Sequence, residues 1–510
     1  MKKRNIAVLI VFAMLLAFTV NAAYAVESRA GLPKYVFFFL GDGMSYSQIQ
    51  ATEAYITTLN GGSAKEAADL MKPENRLNMS KMPVQGMQTT YDAHALMTDS
   101  ASAGTAFACG IKTLSGVIGK DDTKTVSVKS VAQLAFENGK KVGIISSVSL
   151  DHATPASYYA SVDNRGLMNS IATQLAATGY EFFGGGGFAS PTGAARPGDT
   201  NNNIWNLLDA NGYTVLNDRE SIMALKTAPA TKVVCINPWL QDSAAMPYAI
   251  DRPATNVSLA EMTEVGIACL ESAGRTTGFF LMVEGGKVDW ACHANDAVAT
   301  VNDMIDFDNA VGAALAFYKK YPRDTLIVVT GDHETGGMSI GHATTAYTAY
   351  YNRLMNQTCS FQYFGDNQWP AHKAAYQTGY DYTLPNNLET NPEFRTLMLN
   401  NFGLDWNTLN AYQKEKLEDA YDKSMCGLNN NTSAENTFLY GGYEPIVVTI
   451  THILNENASI GWTSYSHTGQ PVPVFAQGAS AWRFSGFYDN TDIAKYLAKA
   501  MNLGTLPVLK

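Results

Sequence analysis

Short apolar runs alternate with amphipathic helical patterns along most of the chain. Each apolar run has the length of one buried strand and ends in glycine or polar residues. The predicted strands cover residues 35–40, 142–147, 278–283, 325–330 and 472–476. The predicted helices cover residues 126–138, 167–178, 258–272 and 296–319. This alternation predicts an α/β fold, a three-layer αβα sandwich with a large, mostly parallel central sheet.

A long polar region interrupts the alternation. Residues 341–443 are rich in Tyr and Asn, are poor in buried-strand patterns and contain a helical pattern at residues 407–421. Because compact domains seldom carry an unstructured loop of this length, we expect an inserted subdomain or an arm that reaches a second subunit. Residues 184–203 are rich in Gly, Pro and Asn and are predicted to form a loop.

Residues 1–25 have the organisation of a secretory signal peptide. The basic residues Lys2, Lys3 and Arg4 precede an apolar run over residues 6–20, and Ala23-Tyr24-Ala25 is a small-x-small cleavage site. An uncleaved membrane anchor is the alternative, but the run is shorter than the ~20 residues that a spanning helix needs. We therefore expect export to the periplasm or the medium, no membrane span after cleavage, and one mature domain over residues 26–510.

The composition is acidic. The chain has 36 Lys and Arg against 46 Asp and Glu, a formal net charge of -10. Without the three basic residues of the signal peptide, 33 remain against 46 and the charge is about -13. Such a surface repels nucleic acid and anionic lipid, so neither is an expected partner. An anionic substrate would need a local positive charge, for which bound metal ions are the obvious source.

Six cysteines in an exported chain permit disulfides. Cys109 and Cys292 lie in apolar or motif segments, which favours buried free thiols. A bridge between Cys359 and Cys426, in the polar region, is left open.

Acidic residues and histidines lie next to the ends of the predicted strands. Asp42 stands between two glycines after the first strand, and Glu284 ends the third. Because ligands of a parallel sheet gather beyond the carboxyl ends of its strands, we expect these side chains to meet at one edge. The full set is Asp42, Glu284, Asp289, His293, Asp332, His333 and His467.

These residue types suit divalent metals. Asp289 and His293 are four residues apart and share one face if a helix begins there. Asp332 and His333 are adjacent and can converge only in a turn. Mixed nitrogen and oxygen donors suit catalytic zinc, and an all-oxygen set suits magnesium. Each of these residues also has an ordinary structural explanation. Asp42 could be a turn aspartate, Asp289 and His293 could form a simple i,i+4 pair, and His467 could be a hydrogen-bonded structural histidine.

Six motifs resemble the alkaline phosphatase family. They are GDGM, TDSASAGTA, DHATPASY, VEGGKVDWACH, TGDHETGG and SHTG, in the family's order between Val36 and Gly478, and Arg165 follows the third motif. The resemblance implies hydrolysis of phosphate monoesters of broad structure through a phosphoserine intermediate. It also implies two Zn²⁺ and one Mg²⁺ per subunit and a homodimer.

The resemblance further implies a role for each matching residue. Ser100 would be the nucleophile, and Arg165 would bind the phosphate. The metal ligands would be Asp289, His293 and His467 for one zinc, Asp42, Asp332 and His333 for the second, and Asp42, Thr154 and Glu284 for magnesium. These ions and Arg165 outweigh the four ligand carboxylates, which leaves the site at about +3.

Ser100 stands at the start of a predicted helix. Backbone N–H groups and the positive end of the helix dipole favour a phosphate there. A divalent cation beside the hydroxyl lowers its pKa, so no histidine base is required. The alternative is an ordinary helix-capping hydroxyl. We expect Asp99 to cap or orient, and the Ser102 hydroxyl to point elsewhere.

Two positions depart from the best-known bacterial pattern of the family, which has an acidic residue in place of His152 and a lysine in place of Trp290. The resemblance implies a weakened or altered magnesium site and looser product binding. The alternative is that both side chains merely pack.

Three other functions fit parts of the sequence. A phosphodiesterase of the same superfamily is one alternative. A serine esterase could use Ser339 in a G-x-S-x-G sequence, but such an elbow lies directly between a strand and a helix, whereas Ser339 comes well after the strand. An exported phosphate or zinc carrier would have no use for an aligned nucleophile.

Overall fold

The computed structural model describes residues 31–510, so the predicted signal peptide lies outside the described residues. A 10-stranded sheet forms the centre of the molecule. Its strands are β1 (Tyr35–Gly41), β2 (Val84–Gln88), β3 (Lys141–Ser146), β4 (Phe182–Gly185), β5 (Thr214–Leu216), β6 (Val233–Ile236), β7 (Phe279–Gly285), β8 (Thr325–Gly331), β9 (Val472–Gly478) and β10 (Gly486–Tyr488). Their order is β10-β2-β9-β8-β1-β7-β3-β4-β6-β5. β9 is antiparallel to both of its neighbours, and the other neighbouring pairs are parallel.

All five predicted strands are present, and their ends shift by one or two residues. The prediction missed β2, β4, β5, β6 and β10. β2 (VQGMQ) is polar and only partly buried, and β4, β5 and β10 are too short to give a clear pattern. β6 (VVCI) is a short buried apolar run that the prediction overlooked. β4 includes Gly184 and Gly185, which we expected in a loop.

The α-helices of the described residues lie mostly between these strands. They are α1 (Tyr46–Leu59), α2 (Ala67–Leu70), α3 (Ser100–Cys109), α4 (Val131–Glu137), α5 (Ala153–Ala156), α6 (Met168–Ala176), α7 (Ile204–Ala210), α8 (Arg219–Ala224), α9 (Leu259–Ala273), α10 (Lys287–His293), α11 (Ala297–Lys320), α12 (Phe361–Asn367), α13 (Trp369–Tyr376), α14 (Pro392–Phe402), α15 (Ala411–Cys426), α16 (Ser433–Tyr440), α17 (Pro445–Ala458) and α18 (Thr491–Met501).

Three of the predicted helices correspond to α6, α9 and α11 with small shifts. The prediction of a helix over residues 126–138 was too long at its start. Ser127 and Val128 form isolated β-bridges, and Ser130 caps α4 by accepting from the Gln133 N–H. The helix can therefore begin only at Val131.

Two apolar layers cover the sheet, one on each face. Alternate side chains of β1 separate cleanly: Val36, Phe38 and Leu40 belong to one core, and Tyr35, Phe37 and Phe39 to the other. Helices α3, α4, α6 and α18 pack into the first core, and α1, α9 and α11 into the second. The predicted αβα sandwich is confirmed.

Residues 341–443 contain helices α12 to α16. With α17 and parts of α1 and α11 they build a third apolar cluster, which includes Phe364, Trp369, Phe394 and Leu417. The helical pattern at residues 407–421 corresponds to α15, which Asn410 caps. Within this region Cys359 is buried and Cys426 exposed, and all six cysteines of the chain are free. No described helix of the chain has both the length and the apolar character that crossing a membrane demands.

Candidate active site

The carboxyl ends of β8, β1 and β7 lie side by side. In the parallel register the last residue of β1, Gly41, is opposite the last residues of both neighbours. Asp42, Glu284 and Asp332 therefore come together at this edge of the sheet, and all three are fully buried. The side chains thus converge as the sequence predicts.

The first group of donors is Asp42, Asp332 and His333. His333 Nε2 lies 3.4 Å from Asp42 Oδ1 and 3.3 Å from Asp332 Oδ2. The chain turns after β8, which lets the adjacent Asp332 and His333 converge, and the Gly43 N–H donates to Asp332 Oδ1 at 3.1 Å. Burial, and then the charge of the neighbouring Asp332, raises the pKa of Asp42 well above its ordinary value. Carboxylates so placed need a cation or a proton between them.

The second group is Asp289, His293 and His467. Asp289 and His293 lie one turn apart on α10, with His293 Nε2 3.3 Å from Asp289 Oδ2. His467 Nε2 lies 3.5 Å from Asp289 Oδ1 and 3.1 Å from His293 Nε2. The Nδ1 atoms of the two histidines face backbone oxygens, that of Tyr465 at 2.6 Å for His293 and that of Thr98 at 2.7 Å for His467. Both rings therefore turn Nε2 toward a common point, as metal-ligating histidines do.

These two groups adjoin each other. One donor atom each from Asp289, His333 and His467 lie within 4.8 Å of one another. Thr335 joins the groups, because its hydroxyl donates to Asp289 Oδ1 and lies 3.2 Å from His333 Nδ1. Sequence reasoning missed Thr335, for which the only signal was its place in the TGDHETGG motif.

The third group, Glu284, Thr154 and His152, also lies against Asp42. Thr154 Oγ1, on α5, is 3.5 Å from Asp42 Oδ2. Ser146, at the end of β3, donates to Glu284 Oε2, a contact that sequence reasoning also missed. One donor atom each from Asp42, His152 and Glu284 lie within 4.8 Å of one another. Burial raises the pKa of Glu284 to about 7, and a neighbouring cation would favour the ionised carboxylate.

Ser100 is the first residue of α3 and is buried. The helix is capped by Asp99, whose Oδ1 accepts from the Ser102 N–H at 2.9 Å and from the Ser102 hydroxyl at 2.7 Å. The capping alternative for Ser100 is therefore wrong, while Asp99 and Ser102 behave as expected. Within residues 31–510 the Ser100 hydroxyl has no hydrogen-bond partner. The Thr98 carbonyl, two residues before it, contacts His467, which brings this helix start to the second group of donors.

Arg165 lies beside the start of α3. Its Nη1 donates to Asp99 Oδ2 at 3.0 Å, and its Nη2 lies 3.0 Å from His152 Nε2. Trp290 packs on His152 edge to face, with ring centres 5.9 Å apart. Burial, and then the Arg165 charge, lowers the pKa of His152 to about 3, so the imidazole is neutral and its Nε2 accepts from Arg165.

The comparisons with known proteins agree with this geometry. The family model described as alkaline phosphatase matches residues 33–503. The chain is 31% identical over 505 residues to alkaline phosphatase 3 of Bacillus subtilis, covering 96% of this chain and 95% of the relative. The chain belongs to the alkaline phosphatase family. It is thus an enzyme of the phosphomonoester hydrolase class, as the sequence motifs predict.

Solved alkaline phosphatases share the fold. The Thermus thermophilus enzyme superposes with a TM-score of 0.72 and 25% identity, covering 94% of this chain and 93% of its own. The enzyme of the Antarctic bacterium TAB5, in a variant with a histidine replaced by glutamate, superposes with a TM-score of 0.60 and 25% identity. That match covers 94% of this chain and 100% of the variant, which holds magnesium in a site called M3.

Alkaline phosphatases use metal ions, and the donors here fit them. Asp42 Oδ1, Asp332 Oδ2, His333 Nε2 and Glu284 Oε1 are buried without a hydrogen-bond partner in the described part of the chain. Because buried polar atoms are almost always paired, orphaned atoms that face one another fit a bound cation. The group of Asp42, Asp332 and His333 and the group of Asp289, His293 and His467 suit zinc with an open coordination position. The oxygens of Asp42, Glu284 and Thr154 suit magnesium.

Ser339 lies away from this alkaline phosphatase site. It is exposed in a two-residue strand, Ser339–Ile340, that pairs with Ile460–Gly461. It therefore does not stand between a strand and a helix, as the nucleophile of a G-x-S-x-G esterase does.

Proposed function

We propose that the protein hydrolyses phosphate monoesters through a phosphoserine on Ser100, at a site holding two Zn²⁺ and one Mg²⁺ per subunit. The observation that carries the proposal is the free Ser100 hydroxyl at the N-terminus of α3, next to Arg165 and to three groups of buried metal donors. The family membership supports the monoester substrate.

Asp289, His293 and His467 would hold one zinc, and Asp42, Asp332 and His333 the other. Asp42, Thr154 and Glu284 would hold the magnesium, with His152 at its side. When bound, these ions supply positive charge that lowers the pKa of a serine hydroxyl and stabilises the oxygens of phosphoryl transfer.

Ser100 and Arg165 would carry the substrate-directed steps. The N–H groups at the start of α3 bind phosphate oxygens, and the planar Arg165 guanidinium binds two of them at once. Ser100 Oγ, having released its proton to water, attacks phosphorus in line, and the bond to the alcohol oxygen breaks on the side of Asp289 and His467. The alcohol leaves with a proton from water, and phosphoserine remains.

A water molecule then attacks the phosphoserine from the side that the alcohol vacated. The bond from phosphorus to Ser100 Oγ breaks, the hydroxyl is restored and phosphate leaves. Arg165 keeps its position through both steps because Asp99 and His152 hold it from two sides. Few contacts to the alcohol are needed, which fits a broad range of monoesters.

The proposal includes the organisation of the chain. We infer a signal peptide over residues 1–25, a catalytic domain over residues 26–510 with an inserted subdomain at about 341–443, and export to the periplasm or medium. The third apolar cluster, built mostly by α12 to α17, supports the subdomain, and residues of α1 and α11 join it to the sheet layers. The homodimer is carried over from the family, and sedimentation of the purified protein tests it.

The deciding experiment measures turnover of para-nitrophenyl phosphate by the wild type and by Ser100→Ala, with zinc and magnesium supplied. We expect Ser100→Ala to lose at least about a thousandfold in kcat, and the wild type to yield an acid-stable phosphorylated Ser100 peptide. Ser433→Ala, at an exposed serine that begins α16, is the matched control and keeps full activity. Full activity in Ser100→Ala would contradict the proposal, and faster hydrolysis of a nitrophenyl diester would favour the phosphodiesterase alternative.

A further inference from the structure

Lys287, the first residue of α10, is a buried cation beside the candidate active site. Its side chain is fully buried, and its backbone N–H donates to Ser147 Oγ at 3.2 Å. In the described part of the chain, Nζ donates one hydrogen bond, to Asp242 Oδ1 at 3.3 Å. Because an ammonium group has three N–H donors, this contact alone does not satisfy it.

Two aromatic rings complete the surroundings of this ammonium group. The centre of the Tyr248 ring lies 3.7 Å from Lys287 Nζ, and that of the Trp290 ring lies 4.6 Å from it. Both distances are within the ~6 Å range of a cation–π contact, which is stronger where water is excluded. Trp290 follows Lys287 by three residues on α10, so the two side chains share one helix face. Lys287 therefore holds the Trp290 ring in place.

The Trp290 ring is also in contact with the group that orients Arg165. It packs edge to face on His152, with ring centres 5.9 Å apart, and His152 Nε2 accepts from Arg165 Nη2 at 3.0 Å. Within residues 31–510, His152 Nδ1 is buried without a hydrogen-bond partner. Since no hydrogen bond holds the imidazole at Nδ1, packing against Trp290 is needed to fix the plane of this ring.

We propose that Lys287 is a positioning residue for phosphate binding. It fixes the Trp290 ring, and this ring fixes His152. His152 in turn limits the orientations of Arg165. The inference rests on the proposed function, in which Arg165 binds the phosphate group. The alternative is an ordinary structural role, in which Lys287 only neutralises Asp242 and fills space. The two roles differ in what removal of the ammonium group does to the affinity for phosphate.

The first experiment removes the ammonium group with Lys287→Met, which keeps the length of the side chain. We expect the KM for para-nitrophenyl phosphate and the inhibition constant of phosphate to rise about fivefold, because Arg165 is less restricted. The kcat should fall by less than about twofold, since Ser100 and the metal donors are unchanged. Lys141→Met is the matched control. Lys141 pairs with Glu181 at 2.9 Å at the start of β3, the opposite end of the strands from the site, so this variant keeps the wild-type constants.

A second pair of variants tests whether Lys287 acts through Trp290. Trp290→Leu removes the ring, so adding Lys287→Met to Trp290→Leu should leave the inhibition constant of phosphate unchanged. A purely structural role would not make the effect of one substitution depend on the other in this way. Additive effects of the two substitutions on the inhibition constant overturn the inference.

Binding of inorganic phosphate, measured by isothermal titration calorimetry, gives a readout that does not depend on turnover. In the metal-loaded Ser100→Ala background, where no phosphoserine can form, we expect Lys287→Met to bind phosphate about fivefold more weakly. Its zinc content should equal that of the background. Unchanged phosphate affinity, or a weaker affinity that coincides with loss of zinc, overturns the inference.

Asp242→Asn keeps the test decisive if Lys287→Met does not fold. The Asp242 side chain is 37% exposed, so this substitution leaves the core intact while Lys287 loses its carboxylate partner. We expect phosphate to bind this variant about twofold more weakly, and an unchanged affinity overturns the inference. Full activity in Ser100→Ala would instead refute the proposed function, and the calorimetry would still decide whether Lys287 supports phosphate binding.

Discussion

Arg165 donates from Nη2 to Nε2 of His152 at 3.0 Å, a contact that the sequence does not predict. Its Nη1 donates to Asp99 Oδ2, also at 3.0 Å, so two acceptors orient the guanidinium plane. His152 can accept because burial keeps the imidazole neutral. A lysine in place of Arg165 has one charged nitrogen and cannot contact both acceptors and a phosphate.

We therefore expect Arg165→Lys to raise KM for para-nitrophenyl phosphate and the inhibition constant of phosphate by about tenfold or more. The kcat should fall less, because Ser100 and the metal donors are unchanged. Steady-state kinetics with phosphate as inhibitor measure both effects. Arg196→Lys, at an exposed arginine that contacts Asn164, is the matched control. Equal inhibition constants in Arg165→Lys and wild type would show that Arg165 does not bind phosphate.

Trp290 offers a second test of phosphate binding. Its ring packs on His152, and Lys287 Nζ lies 4.6 Å from the ring centre. A Trp290→Lys variant gains an ammonium group near the phosphate, so we expect stronger phosphate inhibition and slower phosphate release than in the wild type. Product-inhibition and pre-steady-state measurements compare the two proteins. Trp290→Phe keeps an aromatic ring and should retain the wild-type inhibition constant, whereas equal constants for Trp290→Lys and wild type would contradict the prediction.

The sequence predicts β1, β7 and β8 well because each is a continuous apolar run between two covered faces. The acidic residues that follow these strands lie together, as the sequence predicts, while their role as metal ligands stays a prediction. Glu284 and Asp332 meet Asp42 simply because parallel strands end together. The resemblance to the family adds Ser100, Thr154 and Arg165, which no strand end marks.

Contacts that depend on tertiary packing were not predictable. The pairing of Arg165 with His152 depends on how residues 153–164 fold over the sheet edge, which no local pattern encodes. From the sequence, His152 is expected to affect only the magnesium site. In the structure it also contacts Arg165, the proposed phosphate-binding residue. Ser146 and Thr335 were missed because a single hydroxyl beside a carboxylate has no distinctive sequence signal.

Thr335 should orient ligands of both zinc groups. Its hydroxyl donates to Asp289 and contacts His333, and such supporting hydrogen bonds change metal affinity by about 10- to 100-fold when removed. We expect Thr335→Val to lose zinc at a lower chelator concentration than the wild type, as measured by metal content after dialysis. Thr335→Ser keeps the hydroxyl and should retain zinc. Identical zinc loss from Thr335→Val and wild type would mean that the contact does not support the metal.

Removal of the metals should make stability fall as pH rises, and Glu284 provides the test. Burial raises the pKa of Glu284 from 4.5 to about 7 in the folded protein, so between these values the folded state holds a proton that the unfolded chain has lost. The free energy of unfolding therefore decreases as pH rises from about 4.5 to about 7, by up to about 3 kcal/mol from this group.

We expect Glu284→Gln to weaken this decrease in protein treated with a chelator, because the amide does not ionise. Urea unfolding at several pH values measures it, with the exposed Glu220→Gln as a control that keeps the wild-type slope. In the metal-loaded wild type the cation replaces the proton, so the decrease should disappear. An equal slope in chelated Glu284→Gln and wild type would show that this carboxyl does not set the pH dependence.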